Sequence, residues 1–274
     1  MGAGSLGRLA LLLMPLLALL LGAGSAAAAP APSGGTVVIP AGEFIPLFSA
    51  YRRQADQAPL PVQVPSFRLD VYPVSNAEYL EFVRANPKWR RSQVPRLFAD
   101  RGYLSQWEGD TDLGHEVLPE GPVTRVSWFA AKAYCAWRGK TLPTTLQWER
   151  AAAASASAPD AEDDPAFLRM ILDWYGRPTP QRLPPVTEGF RNLWGVYNMH
   201  GLVWEWTLDF NSALVTGESR ADSSLERGLY CGAAAAGATS FKDYAAFLRY
   251  GFRSSLSGAY TVSSLGFRCA APES

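Results

Sequence analysis

Residues 121–152, GPVTRVSWFAAKAYCAWRGKTLPTTLQWERAA, carry two helix starts separated by one helix stop. Ser127 is an N-cap residue, and beyond it Trp128, Ala131, Tyr134 and Cys135 recur on one helical face, so Cys135 is expected to point inward. Gly139 ends that helix, because glycine adopts the left-handed conformation of a C-terminal cap without steric cost. Thr144 with Gln147 then forms a capping box for a second helix. The same signature occurs upstream, where Ser75 and Glu78 precede an apolar face of Tyr79, Leu80, Phe82 and Val83 and predict a helix over 76–84. A short strand at 67–71 leads into it. Residues 33–46, SGGTVVIPAGEFIP, read as strand, turn and strand, since β-branched residues alternate with Gly and Pro. Helices interleaved with short strands make the fold class α+β.

Other segments are less regular. Residues 90–120 are rich in Arg, Asp, Gly and Trp without a period and read as a long loop, either a binding element or a solvated excursion. SASAPDAEDDP (155–165) breaks the pattern, and turn-rich sequence after it predicts short strands and loops to the end. No internal repeat is visible.

The chain has 274 residues with 25 basic and 25 acidic side chains, a balance that gives no electrostatic footprint for nucleic acid. Arg8, the apolar run 9–21 and a small-residue exit have the layout of a secretory signal peptide cleaved near Ala28 or Ala29. An uncleaved anchor is the competing reading, but the run is short for a bilayer span. The expected organisation is a signal peptide over 1–29 and one domain over 30–274, periplasmic or secreted, with no membrane attachment after cleavage. Three cysteines, Cys135, Cys231 and Cys269, in an oxidising compartment suggest one disulfide and a remaining thiol.

GVYNMHGLVWEWTLDF (195–210) sets Glu205 between two tryptophans in an apolar run. An ionised carboxylate there needs compensation by an arginine, a raised pKa or a metal ion. Arg249, Arg253 and Arg268 are the candidate arginines.

Four motifs in order, DVYPVSNAEYLEFV (70–83), the 121–152 stretch, NLWGVYNMHGLVWEWTLD (192–209) and SLGFRCA (264–270), resemble the formylglycine-generating enzymes, or sulfatase-modifying factors. The resemblance covers roughly 35–270. It implies a fold related to C-type lectins and low in regular secondary structure, and 24 Gly, 21 Pro and 9 Trp do not contradict that. It implies a disulfide between Cys135 and Cys269. It also implies a structural Ca²⁺ held by the Asn198 amide, the Gly201 and Val203 carbonyls and the Glu205 carboxylate, a hard-oxygen set suited to that ion. A second calcium site of the family is not carried over, because the segment that would build it differs here.

The family's oxidation of a peptide cysteine uses Cu(I) on two thiolates five positions apart, a soft ion on soft ligands. The corresponding positions here are Ser240 and Ala245, so the chain does not supply that copper site. Cys231, in LYCGAAAAG, is the weak catalytic candidate that remains, with a small buried hydrophobe as its plain alternative. Relatives that use iron hold it with three histidines, whereas only His115 and His200 are present. Asp110, Asp112, Glu116, Trp107, His115, Arg249, Arg253 and Tyr250 are polar or aromatic candidates for a ligand groove. Three functions follow from the resemblance. The first is an exported maturation or accessory factor for a periplasmic protein or peptide, some exported relatives being associated with respiratory metalloenzymes such as nitrite reductases. The others are an O₂-dependent oxidoreductase with a different site and a lectin-like ligand-binding module.

Overall fold

The computed structural model describes residues 1–2, 35–46, 60–211 and 241–273. The predicted signal peptide beyond Gly2 and Cys231 therefore lie outside the described residues. Thr36–Ile39 (β1), Phe67–Asp70 (β4) and Ala270–Pro272 (β7) form an antiparallel sheet in the order β1-β4-β7, with Leu69 facing both Val37 and Ala270. Gly42–Phe44 (β2) pairs with Val62–Val64 (β3), so the two strands expected within 33–46 exist but take different partners. Trp204–Glu205 (β5) and Leu265–Gly266 (β6) run parallel, with Glu205 opposite Gly266.

The first three helices begin where their caps predict. Asn76–Ala85 (α1) and Thr145–Ala152 (α3) both start with complete capping boxes, and Trp128–Trp137 (α2) starts on the Ser127 hydroxyl. Gly139 has φ +70°, as the C-terminal stop requires. Tyr79 and Phe82 of α1 pack against Tyr134 of α2, their rings 5.7 and 5.5 Å away, in a core that also takes Trp206 and Phe267.

Cys135 of α2 and Cys269, next to β7, form a disulfide with Cα atoms 5.5 Å apart. Beside it Asp70 accepts from Lys140 Nζ at 2.5 Å and from the Cys269 amide at 3.0 Å, so α2 is tied to β4 and β7 by charge as well as by sulfur. Burial raises the Asp70 pKa, and the Lys140 cation pulls against that rise.

The structure departs from the sequence reading in two regions. The 90–120 segment is irregular as predicted, but it is neither a solvated excursion nor free to act as a binding arm throughout. It contributes Val94, Tyr103, Leu104 and Trp107 to the main core. The region after 157 contains two unpredicted helices, Pro165–Tyr175 (α4) and Phe241–Ser254 (α5), which pack together over Ala161, Phe167, Leu168, Ile171 and Ala245. Asp164 caps α4 and Pro165 occupies its first turn, where the missing N–H is not needed.

Candidate functional site

The parallel β5–β6 pair brings Glu205 to Arg268, two residues beyond β6. Arg268 Nε donates to both Glu205 oxygens at 3.0 and 2.8 Å, and Nη2 donates to Oε1 at 2.8 Å. Trp148 Nε1 adds a bond to Oε2 at 2.7 Å. The other guanidinium donors reach the carbonyls of Asp70, Val71 and Tyr197, so a fully buried arginine is completely satisfied. Of the three compensations open to Glu205, the structure supplies the arginine.

This arrangement bears directly on the expected calcium ligands. Asn198 and Gly201 have φ of +56° and +107° and lie on the wall of a surface cavity, whereas Glu205 is turned inward to Arg268 and Val203 is buried among Val186 and Leu202. The Asn198 amide nitrogen donates to the carbonyls of Val186 and Glu188 at 2.9 and 2.7 Å. With both Glu205 oxygens engaged by Arg268 and Trp148, the set has no carboxylate to offer a hard cation, and it does not fit Ca²⁺ in this arrangement.

A second buried charge cluster joins α3 to α5. Glu149 accepts from Arg249 Nε at 2.8 Å and Nη2 at 2.7 Å, and from Arg253 Nη1 at 2.5 Å. Burial would raise the Glu149 pKa, but the two guanidinium charges outweigh it and hold the carboxyl below its usual range. Arg253 also lies 4.6 Å from the Trp148 ring centre, a cation–π contact. Glu162 lies 3.7 Å from Arg249 and 3.5 Å from Lys242, and burial pushes its pKa up to about 7. Arg249, Arg253 and Tyr250 are therefore buried parts of the scaffold and not walls of an open groove.

The other candidates separate. Trp107 is buried and donates to Asn76 Oδ1 at 3.3 Å. Asp110 holds Ser92 at the surface, and Asp112 accepts from the Gly114 amide. His115 is exposed between Glu108 and Glu116, at 3.0 and 3.1 Å. Glu116 lines a cavity of about 420 Å³, together with Asn76, Gln106, Thr124, Arg125 and Gln181. A second cavity of about 430 Å³ lies between α4 and the 189–201 turn, and Arg169, Trp174, Arg177 and His200 line it. Sequence reasoning missed Arg169, Trp174 and Arg177, whose segment read as turns and loops.

Ala245 decides what the α4–α5 contact means. It is 1% exposed and packed beneath Phe167, Leu168 and Ile171, at the position where the resemblance puts a copper thiolate. A family model described as a sulfatase-modifying factor enzyme 1-like domain matches residues 23–272. The chain belongs to the sulfatase-modifying factor family. Within it, the chain is 32% identical over 203 residues to a hercynine oxygenase of Mycolicibacterium smegmatis, covering 65% of this chain and 46% of that protein. It is 28% identical over 302 residues to the formylglycine-generating enzyme of Bos taurus, covering 88% of this chain and 76% of the relative. The chain thus spans less than half the length of that oxygenase. Among solved structures it resembles PvdO from Pseudomonas aeruginosa, at 20% identity, with 87% of this chain and 94% of the other covered and a TM-score of 0.47. In this member of the sulfatase-modifying factor family, an alanine under a helix stands where cysteine chemistry is expected.

Proposed function

We propose that this sulfatase-modifying factor is exported and acts by binding, as a maturation or accessory factor for a periplasmic protein, and does not oxidise cysteine. The observation that carries the reading is Ala245, which offers no thiol and is covered by α4. Ser240, at the partner position, offers none either. Without two thiolates there is no soft, two-coordinate site for Cu(I). The leader-like segment 1–29 supports export, and the partner class is a protein or peptide of that compartment, a respiratory metalloenzyme such as a nitrite reductase being the leading example. A lectin-like use of the scaffold and an oxidoreductase with a different site are the alternatives.

The test is oxygen consumption by the purified chain with a cysteine peptide and Cu(I), beside copper analysis of the protein. Neither copper-dependent uptake nor stoichiometric copper is expected. Stoichiometric copper with peptide-dependent uptake would overturn the reading. The accessory role is tested by deleting the gene and assaying periplasmic metalloenzymes: one enzyme losing its activity while its polypeptide persists is the expected outcome.

A further inference from the structure

The balance of 25 bases and 25 acids over the whole chain conceals a local segregation. Residues 84–101, RANPKWRRSQVPRLFADR, hold six bases and a single acid. That acid, Asp100, is turned inward, where it accepts from the Gly102 amide at 2.8 Å and the Thr261 amide at 3.2 Å. Arg90 and Arg91 lie near Asp110, and Arg91 also donates to the Trp107 carbonyl at 2.6 Å. Lys88, Arg96 and Arg101 remain exposed, as do Lys132 and Arg138 of α2. None of these five forms an ion pair among the described residues.

A continuous row of aromatic rings brings the two groups of bases onto one face. Trp137 meets Phe82 at 5.6 Å, Phe82 meets Trp89 at 6.3 Å, Trp89 meets Phe98 at 6.3 Å, and Phe98 meets Phe129 at 5.4 Å. The row reaches the surface at Trp137, 40% exposed, and at Phe98, 38% exposed, and Leu97 beside Phe98 stands clear at 75%. Tyr260 is on the same side: Asp100 donates its amide to the Ala259 carbonyl at 2.8 Å, and Gly258 lies so close to Phe129 that a Cβ there would meet the ring at 3.0 Å. Phe129 and Trp137 are eight residues apart on α2, about 12 Å along the helix. The bases follow the row. Arg138 is 5.7 Å from the Trp137 ring centre, Lys132 is 4.8 Å from that of Trp128, which packs on Phe129, and Arg96 donates to the Asp100 carbonyl at 3.0 Å. An exposed apolar row edged by unpaired cations is the mark of an interaction surface.

We propose that this face docks reversibly on an anionic lipid surface, with Leu97, Phe98 and Trp137 entering the headgroup boundary and the five bases meeting lipid phosphates. Neither signal holds a protein to a bilayer firmly by itself; an apolar anchor and a polybasic patch together do. The apolar side chains project from a turn and a helix end and line neither of the two large cavities. A soft surface closes around such projections, whereas a protein partner has to bring a matching groove. The expectation of no membrane attachment follows from the overall charge and from the lack of a span; a peripheral contact needs neither. The inference is independent of the copper chemistry and of the accessory role.

The test is sedimentation with vesicles of equal parts phosphatidylglycerol and phosphatidylcholine, against vesicles of phosphatidylcholine alone, using the compact unit Ala31–Ser274. The main core and the disulfide lie within that unit, and the leader-like segment, which would enter lipid by itself, is absent from it. The anionic vesicles are expected to bind it, more weakly as salt is raised, and the neutral ones to bind far less. Lys88→Glu/Arg101→Glu should weaken partition by at least about fivefold per base. Leu97→Ser should weaken it about tenfold at an unchanged melting temperature, since that side chain is exposed. Arg169→Glu/Arg177→Glu, an equal charge change on the wall of the 430 Å³ cavity, should bind nearly as wild type. Brominated lipid should quench tryptophan emission, and less so in Trp137→Phe. No sedimentation with the anionic vesicles at low salt, the result expected of a face made for an acidic protein segment, overturns the proposal. So does an equal loss in the two charge-reversed variants, which reduces the effect to net charge, or quenching undiminished in Trp137→Phe.

Discussion

At Glu205 a buried carboxylate meets a buried guanidinium, and the two stand or fall together. Replacing Arg268 by Met leaves a charge in a dry site, for which a loss of about 3–5 kcal/mol is expected in urea unfolding. Adding Glu205→Gln to that variant should recover part of the loss, because the uncompensated charge is gone. If Arg268 is the counter-charge, chelation with EGTA should leave the melting temperature unchanged; a fall of several degrees would return the calcium ligands to Asn198, Gly201, Val203 and Glu205. Two other buried groups give opposed pH dependences. Glu162 has a folded pKa of about 7 against an ordinary 4.5, so the folded chain holds the extra proton and its stability falls as pH rises through that window. His200 has a folded pKa of about 3 against 6.5, so the unfolded chain binds more protons in that window and stability falls as pH drops below 6.5. Between pH 4.5 and 6.5 the two slopes, up to about 1.4 kcal/mol per pH unit each, nearly cancel. Glu162→Gln removes one of them. The variant's melting temperature should climb with pH up to about 6.5 and should exceed wild type above pH 7, and a curve parallel to wild type would show that Glu162 is ionised in the fold.

Among the elements, those with complete local signals were legible before any coordinates. The Ser75, Ser127 and Thr144 caps each make their bond three residues on, and Gly139 stops α2, so α1, α2 and α3 follow from chemistry contained within a few residues. Helices α4 and α5 were not legible for different reasons. The acidic run before Asp164 reads as a solvated break, although Phe167, Leu168 and Ile171 keep helical spacing beyond it. The inner face of α5 includes Arg249 and Arg253, which an apolar count treats as surface. They are core residues only because Glu149, about a hundred positions earlier on α3, meets them. The site was partly legible on the same terms: the need to compensate Glu205 was visible, but the choice of Arg268 rests on the β5–β6 pairing. The α4–α5 contact has its own test. Leu168→Ala removes buried side-chain volume from the seam and should cost about 2–5 kcal/mol in unfolding experiments. Restoring both thiols with Ser240→Cys and Ala245→Cys should still give no copper-dependent oxygen uptake, since position 245 is covered by α4. Uptake in that variant would mean that the helix moves aside.

At the scale of the domain, regular hydrogen-bonded ladders are short, and the longest strands among the described residues have four residues. Long-range ties must then hold irregular segments in register. Glu205 with Arg268 joins 63 positions, Glu149 with Arg249 joins 100, and Cys135 with Cys269 joins 134. The covalent tie acts on the unfolded chain, whose ends it keeps together, so its contribution grows slowly with loop length and reaches about 4–5 kcal/mol for a loop of this size in the chain-entropy model. The ion pairs act on the folded state and have no such length dependence. Replacing both cysteines by serine should therefore lower stability by about 2–5 kcal/mol. The loss should appear mainly as slower folding if the loop closes before the rate-limiting step, with the unfolding rate little changed. Lys140 and Asp70 beside the bridge still tie α2 to β4, so the reduced domain should retain the same near-ultraviolet circular dichroism at low temperature. Loss of that signal in the serine variant under native conditions would mean that the charge pairs do not hold this loop-rich domain together without the bridge.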